Sequence, residues 1–134
     1  MPQNITLTAG TLVKAAKAEI TEYSVEDVQA MASKENVVLV DIRDPRELAR
    51  EGKIPGAFHC PRGMLEFWIC PDGPYHKPVF AEDKEFVFFC AGGMRSALAA
   101  KVAQDMGLKP VAHMLGGFGG WKKAGAAVEF DEKK

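Results

Sequence analysis

The chain has 134 residues, with 17 basic against 18 acidic side chains and a formal net charge of −1, and this size suits one ordinary domain. The balanced charge argues against a nucleic-acid partner, which a basic excess would indicate. No apolar run approaches the ~20 residues of a membrane span, and residues 1–11 lack the positive charge and apolar block of a secretory signal. We therefore expect a cytoplasmic protein with neither nucleic acid nor membrane as a partner.

The cysteine content points to free thiols. Cys60, Cys70 and Cys90 are an odd number, and they contain neither a C-x-x-C pair nor a metal-finger spacing. Such usage is typical of a reducing compartment and of a single reactive cysteine rather than a disulfide scaffold. We expect no metal site and no cofactor.

The first third of the chain predicts alternating elements. Good helix formers over residues 11–19 predict a peripheral helix, and we assign residues 1–23 to a helical N-terminal extension. Ser24, with Asp27 three residues on, predicts the capped start of the next helix. Residues 37–41 form a β-branched apolar run, which predicts a buried parallel strand ending in a carboxylate.

The middle of the chain continues the alternation. Asp44 and Pro45 predict a capped helix, and Gly52 predicts its end. A short strand over residues 57–60 and a short helix over residues 63–69 come next. A proline-rich surface loop follows that helix.

The last third supplies the remaining strands. Residues 85–89 predict a second buried strand, residues 96–106 a helix that ends at Gly107, and residues 110–115 the last strand before a short closing helix. The alternation over residues 24–130 predicts one α/β domain. Its central sheet is expected to be mostly parallel, with about five strands and with helices on both faces.

This topology brings several polar side chains to one edge of the sheet. Asp41 and Cys90 both stand at the carboxyl ends of predicted strands. Ligand sites of open α/β sheets lie outside those ends, so we expect the two side chains on the same edge of the molecule. Arg43 follows the first of these strands, and we expect it to be a structural partner on the same rim.

The loop after the second buried strand favours a reactive cysteine. Small residues after Cys90 let the backbone curl, and glycines adopt positive φ at little cost. Convergent main-chain N–H groups and the positive end of the next helix form a nest that favours the thiolate. We therefore expect Cys90 to be the nucleophile, and we expect the following residues to bind the anionic substrate: Ala91, Gly92, Gly93, Met94, Arg95 and Ser96.

Three residues of this loop carry more specific expectations. Ser96 is expected to be the helix N-cap, with its hydroxyl towards the sulfur, and Met94 is expected to form an apolar wall. Two roles are open for Arg95: it binds the anionic substrate, or it pairs with Asp41 and fixes the loop. No motif places a histidine beside Cys90.

The sequence resembles the rhodanese-like sulfurtransferases over about residues 24–126. Cys90-x-x-Gly93-x-Arg95-Ser96 is similar to the active-site loop of that family. Similar short motifs occur in the family's order at Asp41-Ile42-Arg43, Gly52-Lys53-Ile54-Pro55-Gly56-Ala57, Leu115-Gly116-Gly117, Trp121 and Gly125. The resemblance implies that a donor such as thiosulfate transfers sulfur to Cys90 as a persulfide. A small-molecule acceptor, cyanide or a thiol, or a protein acceptor, then removes it.

Two other functions remain open within the same fold. Related phosphatases place five residues between the cysteine and the arginine, whereas this chain has four. The shorter loop should fit one persulfide sulfur better than a phosphoryl group, which makes a phosphatase acting through a phosphocysteine the alternative enzyme. A non-catalytic module that binds an anion or a partner in the same pocket is the other alternative.

Two residues outside the loop have two interpretations each. Trp68 either lines the pocket mouth and shields the sulfur from water, or packs in the core. Cys70 either acts as a resolving thiol, if its loop folds over Cys90, or is a free half-buried cysteine. Cys60 is expected to be a core residue.

Overall fold

The computed structural model describes residues 2–131. Within that range, five strands form one sheet in the order β1-β5-β4-β2-β3, and every pairing is parallel. The strands are β1 Thr21–Tyr23, β2 Val37–Asp41, β3 Phe58–His59, β4 Glu85–Phe89 and β5 Val111–Met114. The predicted α/β class with a parallel central sheet is therefore confirmed.

Helices connect consecutive strands. The α-helices within the described residues are α1 Ala9–Lys17, α2 Val25–Met31, α3 Pro45–Glu51, α4 Leu65–Ile69, α5 Met94–Asp105 and α6 Gly117–Lys123, and 3-10 turns cover Arg62–Met64 and Pro78–Ala81. Among residues 2–131, no helix combines the length and the apolar character needed to cross a membrane.

The sheet separates two hydrophobic cores. Along β4, Phe86 and Phe88 face one core, which α4 and α5 cover, while Val87 and Phe89 face the other, which α2 and α6 cover. This alternation follows from the two-residue period of a strand. Helix α1 packs on α5 as an outer layer of the first face.

Local sequence signals set the helix starts at the sheet edge. Ser24 and Asp27 form a capping box at α2, and Asp44 and Glu47 form another at α3, as predicted. Gly52 ends α3 with a φ of 90°, in the left-handed region that favours glycine. The boundaries of the two central strands, β2 and β4, also match the prediction.

Strand β1 lies inside the segment that the sequence assigned to a helical extension. Its register pairs Thr21 with Ala112 and Tyr23 with Met114 of β5. Three residues give no periodic signal, so this strand is defined by its partner rather than by its own sequence. The preceding helix α1 starts earlier than expected, because the Thr8 hydroxyl caps it by accepting a hydrogen bond from Thr11 N.

Candidate active site

Cys90 directly follows β4, in the turn that leads into α5. The residue is 1% exposed, and the residue before it, Phe89, pairs with Asp41 at the end of β2. Cys90 and Asp41 therefore both stand at the carboxyl edge of the sheet, where ligands of parallel α/β folds bind.

Two main-chain amides converge on the sulfur. Gly93 N donates to Cys90 Sγ at 3.1 Å, and Ser96 N donates to it at 3.3 Å. The turn requires a φ of 110° at Gly93, which glycine adopts without the steric cost of a side chain. This geometry matches the nest of amides that the sequence predicted around the sulfur. Such a nest can stabilise a sulfur anion.

The start of α6 supports the loop from the side of β5. Phe118 N donates to Cys90 O at 2.7 Å, and Gly119 N donates to Ala91 O at 3.0 Å. A Cβ at Gly117 would lie 2.5 Å from Cys90 O and 2.7 Å from Ala91 O. Only glycine at position 117 therefore allows α6 to approach the loop this closely.

Ser96 is not the N-cap of α5, contrary to the sequence prediction. Gly93 occupies the cap position and α5 begins at Met94, because the positive φ of Gly93 starts the helix two residues earlier. The Ser96 hydroxyl lies 3.6 Å from Cys90 Sγ, as expected, and also 2.9 Å from His113 Nδ1. Its role is therefore in the contacts of the sulfur rather than in capping.

Arg95 does not pair with Asp41, which was one of the two roles that the sequence left open for it. Arg95 instead donates from Nη1 and Nη2 to the two carboxylate oxygens of Glu47, at 2.7 and 3.0 Å. Those hydrogen bonds lower the pKa of the Glu47 carboxyl to about 2. The arginine is thereby tied to the first turn of α3.

Asp41 is instead bound by Arg43, and both are almost completely buried. Arg43 donates from Nε to Oδ1 at 3.0 Å and from Nη2 to Oδ2 at 2.7 Å, and Nη2 also donates to Gly52 O at 2.9 Å. The guanidinium lies 4.1 Å from the ring centroid of Phe118. The expected structural role of Arg43 on this rim is consistent with these contacts.

A cavity of about 450 Å³ opens beside Cys90. Apart from Cys90, its lining residues are Ala9, Val13, Gly92, Met94, Arg95 and Leu98. Met94 thus contributes an apolar wall, as predicted. The contribution of α1 through Ala9 and Val13 was not predicted, because nothing in the sequence of that helix indicates that it covers the loop.

Trp68 is not among the residues that line this cavity. It packs against the first core, with its ring 5.9 Å from that of Phe58 in an edge-on arrangement, and Lys77 Nζ lies 4.9 Å from its ring centroid. The expectation of a pocket-mouth role is therefore replaced by ordinary packing. Aromatic edge contacts of this kind account for its position in α4.

The other two cysteines have different environments. Cys60 is fully buried, as predicted, and burial raises the pKa of its thiol to about 12. Cys70 is half-buried and free, and it too is absent from the lining of the cavity at Cys90. A resolving role for Cys70 stays a prediction.

His113 is the residue near the sulfur that the sequence analysis missed. It lies in the centre of β5, is 0% exposed, and contacts Ser96 through Nδ1 and Glu22 through Nε2. A histidine in an otherwise apolar strand was the available signal. Its partners come from elements up to 91 residues away, and no local motif could have indicated them.

Comparison with known proteins identifies the family of this fold. A model of the rhodanese-like domain matches residues 24–124, which is most of the chain. The protein therefore belongs to the rhodanese-like domain family.

Two relatives carry the name of an activity. A sulfurtransferase of Allochromatium vinosum is 31% identical over 100 residues, which cover 75% of this chain and 85% of that protein. A thiosulfate:glutathione sulfurtransferase of Saccharomyces cerevisiae is 31% identical over 115 residues, which cover 81% of this chain and 82% of that protein.

A similar solved structure carries a different description. It is a protein of unknown function from Rhodopseudomonas palustris, described as a possible tyrosine phosphatase. The two sequences are 59% identical and the TM-score is 0.94, over 96% of this chain and 99% of that chain. The names of these similar proteins thus give two activities, sulfurtransferase and possible tyrosine phosphatase.

Proposed function

We propose that the protein is an enzyme of its family that transfers sulfane sulfur through a persulfide on Cys90. The observation that carries the proposal is the pair of amides, from Gly93 and Ser96, that donate to Sγ. They stabilise an anionic sulfur, and both the thiolate before transfer and the persulfide after it are anions. The named sulfurtransferase relatives support the same general activity.

In the first half-reaction, the Cys90 thiolate attacks the outer sulfur of a donor such as thiosulfate. A bond forms between Sγ and that sulfur, the sulfur–sulfur bond of the donor breaks, and its electron pair leaves with sulfite. In the second half-reaction, cyanide or a thiol attacks the outer sulfur of the persulfide, and Sγ leaves as the thiolate. Atoms and charge balance without an external oxidant or reductant.

The acceptor in this proposal is a small molecule or a protein thiol, and the location is cytoplasmic. The three cysteines are free, which is the state that a reducing compartment maintains. Of the two roles open for Arg95, we assign it that of fixing the loop rather than binding the anionic substrate, and its two hydrogen bonds to Glu47 support this role.

Mass spectrometry after incubation with thiosulfate tests the proposal. We expect one added sulfur atom on the Cys90 peptide, its removal by cyanide with release of thiocyanate, and no addition in Cys90→Ser. Cys70→Ser is the matched control, because it removes a thiol outside the cavity, and it should still form the persulfide. An unmodified Cys90 with thiosulfate, mercaptopyruvate and glutathione persulfide would overturn the proposal.

A phosphatase acting through a phosphocysteine is the second candidate, favoured by the description of the Rhodopseudomonas structure. Two features count against it: the loop has four residues between Cys90 and Arg95, and Arg95 uses both terminal nitrogens on Glu47. Arg95 would therefore not be free to bind two oxygens of a phosphoryl group. Hydrolysis of an aryl phosphate by the wild type, but not by Cys90→Ser, would favour the phosphatase. Anion binding that survives in Cys90→Ala, with no covalent intermediate in the wild type, would favour a non-catalytic module.

A further inference from the structure

A buried chain of polar contacts leads from Cys90 to the edge strand β1. Cys90 Sγ lies 3.6 Å from Ser96 Oγ, Ser96 Oγ lies 2.9 Å from His113 Nδ1, and His113 Nε2 lies 2.8 Å from Glu22 Oε2. Ser96 and His113 are both 0% exposed. Cys90 lies in the turn after β4, and the other three side chains come from α5, β5 and β1. The fold, rather than a local sequence motif, therefore brings them together.

The partners of His113 determine where its proton lies. The hydrogen bond from His113 and the nearby charge of Lys17 lower the pKa of the Glu22 carboxyl, so the carboxylate accepts and Nε2 carries the proton. In the neutral imidazole Nδ1 then carries a lone pair. It accepts the hydroxyl proton of Ser96 at 2.9 Å, in preference to Gly93 O, which lies farther from Oγ at 3.3 Å. Ser96 Oγ is left free to accept the thiol proton of Cys90.

We propose that Ser96 and His113, oriented by Glu22, form a relay that takes the proton from the Cys90 thiol. The S–H bond of Cys90 breaks and its proton passes to Ser96 Oγ, while the Ser96 hydroxyl proton passes to His113 Nδ1. The products are a thiolate and an imidazolium, and no electron is gained or lost overall. Ser96 contacts the reacting sulfur directly, whereas His113 and Glu22 are positioning residues that act through it.

The reversed hydrogen bonds stabilise the ionised state. Once His113 is protonated at both nitrogens, Nδ1–H donates to Ser96 Oγ, and the Ser96 hydroxyl can donate to the thiolate alongside the two amides. The Glu22 carboxylate offsets the charge of the buried imidazolium. Catalytic triads on many unrelated folds also place a carboxylate on the far nitrogen of the histidine, but here Ser96 stands between the histidine and the nucleophile.

Among residues 2–131, few other charged side chains lie near this series of polar contacts. In the register of the sheet, His113 stands between Glu22 of β1 and Phe88 of β4. Lys17 of α1 reaches Glu22 at 3.6 Å, and Arg95 of α5, near the sulfur, is neutralised by Glu47.

The relay is tested by the pH dependence of Cys90 alkylation with iodoacetamide, followed on the Cys90 peptide by mass spectrometry. In His113→Gln the carboxamide can bond Ser96 and Glu22 but cannot become a cation, so the pH at which Cys90 is half-reactive should rise. We expect the alkylation rate at pH 7 to fall about tenfold. Tyr23→Phe is the matched control, since it breaks a hydrogen bond of β1 to Glu85 outside the relay, and its profile should overlay that of the wild type.

Ser96→Ala keeps the amide that donates to Sγ and interrupts only the side-chain relay. If His113→Gln does not fold, Ser96→Ala tests the relay in its place. We expect the pH at which Cys90 is half-reactive to rise in this variant as well. A second readout is the ¹⁵N shift of His113 Nδ1, which should change as Cys90 ionises and should lose that change in Cys90→Ser. A folded His113→Gln or Ser96→Ala protein whose profile matches the wild type overturns the relay.

The biological purpose of the relay rests on the proposed function. The test of the relay, however, does not need a sulfur donor. If alkylation depends on His113 while no persulfide forms with any donor, the relay stands and the sulfurtransferase proposal fails. If persulfides form with an unchanged pH profile in the variants, the sulfurtransferase proposal stands and the relay fails.

Discussion

Arg95 and Glu47 join the end of the cysteine loop to the start of α3. The two terminal nitrogens of Arg95 contact the two oxygens of Glu47, at 2.7 and 3.0 Å. Glu47 Oε1 also accepts a hydrogen bond from Asp44 N at 3.1 Å, which closes the capping box of α3. One carboxylate therefore serves both a helix start and the loop that carries the candidate nucleophile.

The pH dependence of the free energy of unfolding should reflect the ionisation of the Glu47 carboxylate. Arg95 lowers the pKa of Glu47 from 4.5 to about 2, so the ionised group stabilises the folded state above about pH 4.5, and this contribution is lost as the pH falls towards 2. Glu47→Gln should therefore be less stable than the wild type at pH 6, by about 1 kcal/mol for a partly exposed bidentate pair, and the difference should vanish near pH 2.

Urea unfolding between pH 2 and pH 7 measures this difference. The exposed Glu35→Gln is the control for loss of one carboxylate, and its curve should follow the wild type. A gap between Glu47→Gln and the wild type that stays constant with pH would contradict the assignment.

Gly117→Ala should disturb the cysteine loop directly. The added Cβ would lie 2.5 Å from Cys90 O, at a residue whose φ is 59°, so the loop and α6 must move apart. We expect a loss of stability of about 1–3 kcal/mol and a fall of about tenfold to a hundredfold in the rate of persulfide formation, as misplaced reacting groups produce.

Gly56→Ala is the matched control for this change. Gly56 also has a positive φ, of 82°, but a Cβ there meets no atom within 4 Å. It should lower the thermal unfolding midpoint and leave single-turnover persulfide formation unchanged. Equal kinetic defects in the two variants would mean that backbone strain, and not the approach of α6 to the loop, causes the effect.

The sequence predicted the central strands and the capped helices because those signals are local. The runs of apolar residues in β2 and β4 mark buried strands, and the boxes at Ser24 and Asp44 mark helix starts. Glycines after Cys90 likewise indicated an amide nest, because tight turns need them. Each of these features depends on residues within a few positions of one another.

The contacts of individual side chains could not be predicted in the same way. The sequence left open whether Arg95 pairs with Asp41, and the structure pairs Asp41 with Arg43, which also donates to Gly52 O and lies over Phe118. His113 finds Glu22 across the β1–β5 pairing, and β1 itself was missing from the prediction. Long-range partners follow from strand order, which the sequence alone left open.

Asp41→Asn should strongly destabilise the fold. Asp41 and Arg43 are each 1% exposed, so the substitution would leave an uncompensated guanidinium in the interior. Breaking a buried pair in this way costs about 3–5 kcal/mol, which thermal and urea unfolding would both detect.

Arg46→Gln is the contrasting change, since it breaks an ion pair with Asp44 whose arginine is highly exposed. It should leave the unfolding midpoint unchanged. A mild effect of Asp41→Asn, comparable to that of Arg46→Gln, would show that water reaches the buried pair.

The three cysteines should react in a fixed order. Burial raises the pKa of the Cys60 thiol to about 12, so it should remain unmodified by iodoacetamide in the folded protein at pH 8. Cys90, with two amides on its sulfur, should be alkylated first. Peptide mapping of partly labelled protein measures the order of reaction. Labelling in urea, where all three thiols should react, is the control. Early labelling of Cys60 in the folded protein would contradict its position in the core.

Helix α1 gives the pocket a wall that lies ahead of residues 24–124, the span matched by the family model. The two amides that contact the sulfur, from Gly93 and Ser96, and the α1 wall of the cavity therefore lie far apart in the sequence. Substitutions at Ala9 and Val13 would therefore reshape one wall of the cavity without changing either residue whose amide contacts the sulfur. The size and shape of the cavity can thus vary while the hydrogen bonds to the sulfur stay the same.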